Sequence, residues 1–394
     1  MKKYFSIKRI FAFIIFAAIV TVSILSDLPG QVSKYIEYSL SGIKELTGSG
    51  EKAAEPLSAD EFADSFYFKD ELIDLNGICA NALGMKELFK DYGVYIADNV
   101  FLVSRYNETS GDYEYDETVK FKKYLDEKKI DLLYVNAPAK YFDDSFFENE
   151  FGVKSYVNSN ADTFLKRITD AGIDSIDLRE AFISEGLDEH DVFYRTDHHW
   201  TVASGLFTAK KIAAALNEYS GYDIDLSIYD SDNYDYTEMK NCWVGEQGNK
   251  IGVTYSGLDD FTIITPKFPT DFTIDGLGRT DFSGFIDEDL LDFDNYTTET
   301  LHYSYMSRSA VNNIVDKVNV LLISDSYSQV VTPFLALSVH SIYPVVLRGY
   351  GGNLSELIEN GNYDAVVICY SESMIGSHDN RSSSNYKMFS FDGQ

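Results

Sequence analysis

The sequence predicts an α/β protein whose parallel sheet is covered by helices on both faces. Two observations carry that expectation. Continuously apolar runs such as Val318–Ile323 and Ala365–Cys369 are the pattern of strands buried on both faces. Segments with apolar residues at helical spacing alternate with those runs.

The N-terminus has a different character. Lys2, Lys3, Lys8 and Arg9 precede an uncharged apolar run, Ile10–Leu25. Basic flank followed by apolar core is the pattern of a signal peptide or a signal anchor, assigned to residues 1–30. The run would span about 24 Å as a helix, short for a crossing unless its flanks contribute. No clean A-x-A site follows, so the expectation is an uncleaved anchor in the membrane, with a cleaved signal as the alternative. Either places the remainder outside the cytoplasm. Residues 31–58 read as a juxtamembrane helix (Val32–Leu46) and a polar linker (Thr47–Pro56).

The folded domain is assigned to residues 59–375. Its expected elements are a helix at Glu117–Lys129, a strand at Ile130–Val135, and a helix at Asn160–Ala171 capped by Asn160. A short strand at Gly172–Leu178 follows. Then comes a helix over Thr201–Asn217, with Ala203, Leu206, Phe207, Ile212, Ala213 and Leu216 on its apolar face. Strands at Val318–Ile323 and Asp364–Tyr370 complete the pattern. Residues 219–305 break the rhythm and read as an insertion of short strands and loops. Residues 376–394 read as a loose, polar, Ser-rich tail.

A net charge of −30 argues against nucleic acid as a partner. Cys79, Cys242 and Cys369 form no zinc-like spacing; Cys369 lies in an apolar run as a core thiol, and a Cys79–Cys242 disulfide stays open.

The densest chemistry lies in Tyr194-Arg195-Thr196-Asp197-His198-His199-Trp200-Thr201. On extended backbone, residues two apart share a face, so Asp197 and His199 could act as an acid and the base it orients. His198 would face the other way. A nucleophile is expected after the strand Val318–Ile323, where Ser324-Asp325-Ser326-Tyr327-Ser328 makes a tight turn into a helix. Free backbone N–H groups there favour a developing oxyanion. Ser326 is the candidate, with Ser324 and Ser328 as fallbacks; the competing reading makes these residues helix caps only.

Taken together, T-D-H-H-W-T followed by a distant strand and D-S-Y-S resembles the DHHW family. That family is similar to the SGNH-like proteins of alginate O-acetylation. Further matches include Gly93–Ile96, Pro138–Tyr141, Ile176–Arg179 and Leu347–Tyr350, so the resemblance runs from about residue 72 to 373. It implies an SGNH-like three-layer sandwich with a central parallel sheet, and a triad of Asp197, His199 and Ser326. It implies O-acetyl transfer to a cell-envelope or secreted polysaccharide, with a membrane-bound O-acyltransferase as acyl donor. A carbohydrate esterase and a non-catalytic glycan-binding or assembly protein are the alternatives. Arg348, Tyr327, Arg195 and Trp200 are candidates for substrate or oxyanion contact. Ser324 stands where the related motif has Gly, and Tyr370-Ser371-Glu372 stands at a strand end where an oxyanion Asn would be plausible. No cofactor and no metal are expected; a metal reading would join Asp197, His198 and His199 to His302 or His340.

Overall fold

The computed structural model describes residues 69–88 and 93–391. The expected anchor at 1–30 and the juxtamembrane segment at 31–58 lie outside the described residues. Among the described residues no helix is long and apolar enough to cross a membrane.

The chain divides at residue 83 into two units. The described part of the first contains one helix, α1 (Lys69–Ala82), with Asp70 and Glu71 in its first turn, where the helix dipole favours acids.

In the second unit, β1 (Glu87–Leu88), β2 (Val94–Ala97) and β3 (Phe101–Ser104) form a small antiparallel sheet. There follow α2 (Asp112–Lys128), β4 (Asp131–Ala137), α3 (Val157–Asp170), β5 (Asp174–Asp177) and α4 (Val202–Ser220). Next are β6 (Tyr234–Trp243), β7 (Asp259–Pro266), β8 (Phe272–Ile274), β9 (Gly278–Thr280) and β10 (Ala310–Asn312). The chain then forms β11 (Asn319–Ser324), β12 (Ser341–Val345), α5 (Leu354–Asn360) and β13 (Ala365–Ser371).

Eight strands make the main sheet in the order β5-β4-β13-β11-β12-β10-β8-β9. The first five run parallel. The last three pair antiparallel, so the sheet is mixed, where a parallel one was expected. The reason is that β8 and β9, from the inserted segment, reach the sheet through β10 and extend its β12 edge. β6 and β7 pair separately as a hairpin.

Successive residues of the buried strands point to opposite faces. Leu133, Val135, Val320, Leu322 and Val367 pack in one core with Ile212, Ala213 and Leu216 of α4. Leu132, Tyr134, Leu321, Ile323 and Val366 pack in another with Phe121 and Leu125 of α2, Ile168 of α3 and Ile358 of α5. These two cores make the three-layer sandwich. Truncating one of their fully buried Leu residues to Ala would cost about 2–5 kcal/mol.

Two local expectations are corrected. α3 starts at Val157, so Asn160 lies inside it and caps nothing. Its Oδ1 accepts the Thr109 N–H at 3.0 Å and its Nδ2 donates to the Asn107 carbonyl at 2.9 Å. The first-turn N–H groups of Asn158 and Ser159 go instead to Asp144, a carboxylate from another segment. Residues 376–391 are no loose tail: Met388, Phe389 and Phe391 are buried in the second core, and Tyr370 Oη donates to the Met388 carbonyl at 2.5 Å. All three cysteines are free, with Cys369 fully buried.

Candidate active site

The segment Phe193–Trp200 is a loop closed by an antiparallel bridge between its end residues. Its interior bends, where extended backbone was expected. Asp197 and His199 meet for a different reason. Asp197 Oδ1 accepts both the backbone N–H of His199 at 2.8 Å and its ring Nδ1 at 2.6 Å. One carboxylate oxygen thus shapes the turn and orients the imidazole.

Distant groups hold this loop. Asp259, at the start of β7, accepts the N–H of Arg195 (3.1 Å), the N–H of Thr196 (2.8 Å) and the Thr196 hydroxyl (2.6 Å). Gly245 donates its N–H to Thr196 Oγ1 at 2.7 Å, and Glu246 donates its N–H to Asp197 Oδ2 at 2.8 Å. Glycine is needed at 245 for close approach, since a Cβ there would lie 2.3 Å from Asp197 Cβ. Lys140, 4% exposed, donates from Nζ to the carbonyls of Asp197 (2.7 Å) and Arg195 (3.0 Å), with its ammonium 4.2 Å from the Phe101 ring centroid. Burial pushes that ammonium down to about 7. Burial would also push Asp197 up, but the adjoining His199 and its hydrogen bonds hold the carboxyl far below the usual carboxylate range.

Ser326 opens the single turn Ser326–Gln329 that follows β11. Asp325, buried, caps this turn: its Oδ1 accepts the Tyr327 N–H at 2.9 Å and its Oδ2 accepts the Ser371 N–H, at the end of β13, at 2.7 Å. The capping reading of Asp325 therefore holds alongside the placement of Ser326. The Ser326 hydroxyl lies 2.9 Å from His199 Nε2, across 127 residues of sequence. Ser326, His199 and Asp197 form one continuous hydrogen-bonded chain.

Trp200 and Tyr327 lock the loop to the turn. The buried Trp200 donates Nε1–H to the Tyr327 carbonyl at 2.9 Å, and Tyr327 Oη donates to the His198 carbonyl at 2.6 Å. Both side chains thus tie the loop to the turn. Arg195 is committed too, donating to the carbonyls of Ser256 and Leu258 beside Asp259. Arg348 differs: it is half-buried, donates to Asn385 Oδ1 at 2.9 Å, and has no acidic partner among the described residues. Its charge acts on both Asp325 and Tyr303. Glu372, buried just after β13, accepts the Ala139 N–H at 2.8 Å, and burial raises its carboxyl to about 8.

His198 keeps 36% side-chain exposure and faces Glu246 at 3.6 Å. Desolvation and then the neighbouring His199 lower its pKa to about 4. Donor atoms of Asp197, His198 and His199 lie within 4.8 Å of one another, as a metal would require. Yet both ring nitrogens of His199 and both oxygens of Asp197 are already hydrogen-bonded. His340 Nδ1 is taken by the Val315 carbonyl, and His302 Nε2 by that of Ser326. This donor set does not suit a metal.

Lys140, Gly245, Asp259 and His302 escaped sequence reasoning as site residues of defined role. Lys140 carried a signal as part of the Pro138–Tyr141 strand end, and His302 only as a remote ligand in the metal reading.

A three-layer sandwich with a serine at the carboxyl end of a central strand, facing a histidine and an aspartate, is an SGNH-like α/β fold with a mixed sheet. Residues 97–226 match the family model described as "SGNH hydrolase-like domain, acetyltransferase AlgX". That range holds Asp197 and His199 but not Ser326. The chain is similar in structure to PatB1 of Bacillus cereus, with 20% identity and a TM-score of 0.60, over 72% of this chain and 96% of that one. It is similar also to a DHHW family protein of Eubacterium siraeum, with 16% identity and a TM-score of 0.54, over 72% of this chain and 92% of that one. The resemblance read from the sequence is thereby shown; at these identities the solved structures speak for the fold. No curated protein matches the sequence.

Proposed function

We propose that this chain is an extracytoplasmic O-acetyltransferase that acts on a cell-envelope or secreted polysaccharide through Ser326, His199 and Asp197. The observation that carries the reading is the unbroken path from Ser326 Oγ through His199 to Asp197, at 2.9 and 2.6 Å. The match to an acetyltransferase family model supports the reaction type. The basic-then-apolar start of the sequence supports the location and a membrane attachment.

In this mechanism Ser326 Oγ attacks an acyl carbonyl while its proton passes to His199 Nε2. Asp197 keeps the remaining ring proton on Nδ1 and stabilises the imidazolium. The oxyanion takes the Ser326 N–H, which as the first of its turn has no partner within that turn, and the Arg348 guanidinium. The Tyr327 N–H is unavailable, being bound to Asp325. Each such donor contributes on the order of 3 kcal/mol. Collapse expels the donor's leaving group, which takes the proton from His199. A sugar hydroxyl then gives its proton to His199 and attacks the acyl-serine; as the Ser326 oxygen leaves, His199 returns the proton to it. A membrane-bound O-acyltransferase would supply the acyl group. With water as acceptor the same steps give an esterase.

The test is active-site labelling with a fluorophosphonate, followed by acetyl transfer from a soluble acetyl ester to candidate glycans, measured against hydrolysis. Labelling lost in Ser326→Ala, with transfer exceeding hydrolysis, is expected. Labelling that survives in Ser326→Ala overturns the nucleophile. Hydrolysis alone makes the protein an esterase. Glycan binding with neither labelling nor turnover makes it a binding protein.

A further inference from the structure

We propose that His302 is a positioning residue that locks the nucleophile and the base to each other, through a hydrogen bond to one and a ring stack on the other. The inference rests on the acyl-transfer reading above.

His302 lies on the turn Leu301–Ser304 of the inserted segment and is fully buried. Its ring stacks on that of His199, with centroids 4.2 Å apart and planes 13° apart. Its Nε2 lies 2.9 Å from the Ser326 carbonyl oxygen. A carbonyl only accepts, so Nε2 carries the proton, and Nδ1, which is buried without a partner, is the bare nitrogen.

The Ser326 carbonyl belongs to the same peptide unit as the Tyr327 N–H. Asp325 grips that N–H and His302 grips that carbonyl, so the plane next to the nucleophile is clamped at both ends. The same His302 ring forms a wall against the base. One side chain therefore fixes the nucleophile's backbone and the plane of the imidazole that must receive its proton. A misplacement of about 1 Å at such a point costs about 10²-fold in rate.

The unpartnered Nδ1 makes the choice of histidine informative. An unsatisfied buried acceptor is destabilising, a penalty an apolar side chain would avoid.

The groups facing His302 are His199, Asp197 and His198 from the acid–base loop, Ser326 from the nucleophile turn, and Tyr303 beside it. Burial first, then the adjacent His199, holds His302 well below the ordinary histidine range.

The experiment compares His302→Phe, which keeps a ring and loses the donor, with His302→Gln, which keeps a donor and loses the ring. Steady-state hydrolysis of a soluble acetyl ester is measured from pH 5 to 9, with kcat normalised to fluorophosphonate-labelled sites so that misfolded molecules do not count. Both variants are expected to lose about 10- to 100-fold in kcat with KM little changed. Wild-type kcat per labelled site in both variants overturns the proposal, as does a loss confined to KM. Full turnover in Ser326→Ala would instead overturn the acyl-transfer reading; an inactive Ser326→Ala beside fully active His302 variants would remove this inference alone.

Discussion

The turn that carries Ser326 and the loop that carries Asp197 and His199 meet at 2.9 Å, yet they are built on opposite principles. The turn is set mainly by near neighbours: β11 delivers it, and Asp325 caps it two residues on. The loop has little local order. Lys140, Gly245, Glu246 and Asp259, each more than 40 residues away, hold it in shape. A serine needs a fixed backbone at one point, which a strand end supplies. An acid and base two residues apart need a particular bend, and here remote donors and acceptors impose it.

Substitutions can break this contrast, and the largest effects are expected at the proposed triad. Ser326→Ala and His199→Ala should each lower turnover by about 10⁴- to 10⁶-fold, with Asp197→Asn near 10⁴-fold, read as kcat on a soluble acetyl ester. Fold retention by circular dichroism would accompany each assay. Gly245→Ala comes next. Its new methyl meets Asp197, so a loss of about 1–3 kcal/mol is expected in urea unfolding, together with reduced kcat. An unchanged midpoint would show that the loop is more pliant than its contacts suggest.

Lys140→Met sharpens the comparison through pH. Between about 7, where Lys140 titrates in the fold, and its ordinary 10.5, the unfolded chain binds a proton that the folded chain lacks. Lys140 therefore makes stability rise with pH across that window, by up to about 1.4 kcal/mol per unit. Lys140→Met should remove this rise, measured as wild type minus variant in urea unfolding at pH 7, 8 and 9. A difference that stays constant with pH would refute it. The smallest effect is expected at His198: with a ring nitrogen in contact with neither Ser326 nor a second shared proton path, His198→Ala should keep kcat within about threefold. A loss approaching that of His199→Ala would reassign the base.

The same contrast explains what was legible in the sequence. β11, β13 and α4 announced themselves through continuous or helically spaced apolar residues, and Ser326 through its turn. Asp197 and His199 were found for a reason that failed, since the backbone bends where extended chain was assumed. The pairing survives because a carboxylate can reach the N–H two residues on. The roles of Asp259 and His302 left no local trace, as hydrogen bonds across more than 20 residues have no sequence periodicity. Asn160 shows the reverse error: a good capping residue was drawn to a neighbouring loop, and Asp144 served the helix instead. The Ser-rich composition of 376–391 hid three apolar side chains that the second core needs.

That last segment sets a timetable for assembly. A chain made from its N-terminus has every member of the proposed triad once Ser326 exists. Asn385, which steadies Arg348, and Met388, whose carbonyl receives Tyr370, come 59 and 62 residues later (385 − 326 and 388 − 326). Until then the central strand β13 lacks its covering and the guanidinium lacks its brace. A nascent molecule would hold Asp197, His199 and Ser326 before it holds the residues that brace Arg348 and cover β13.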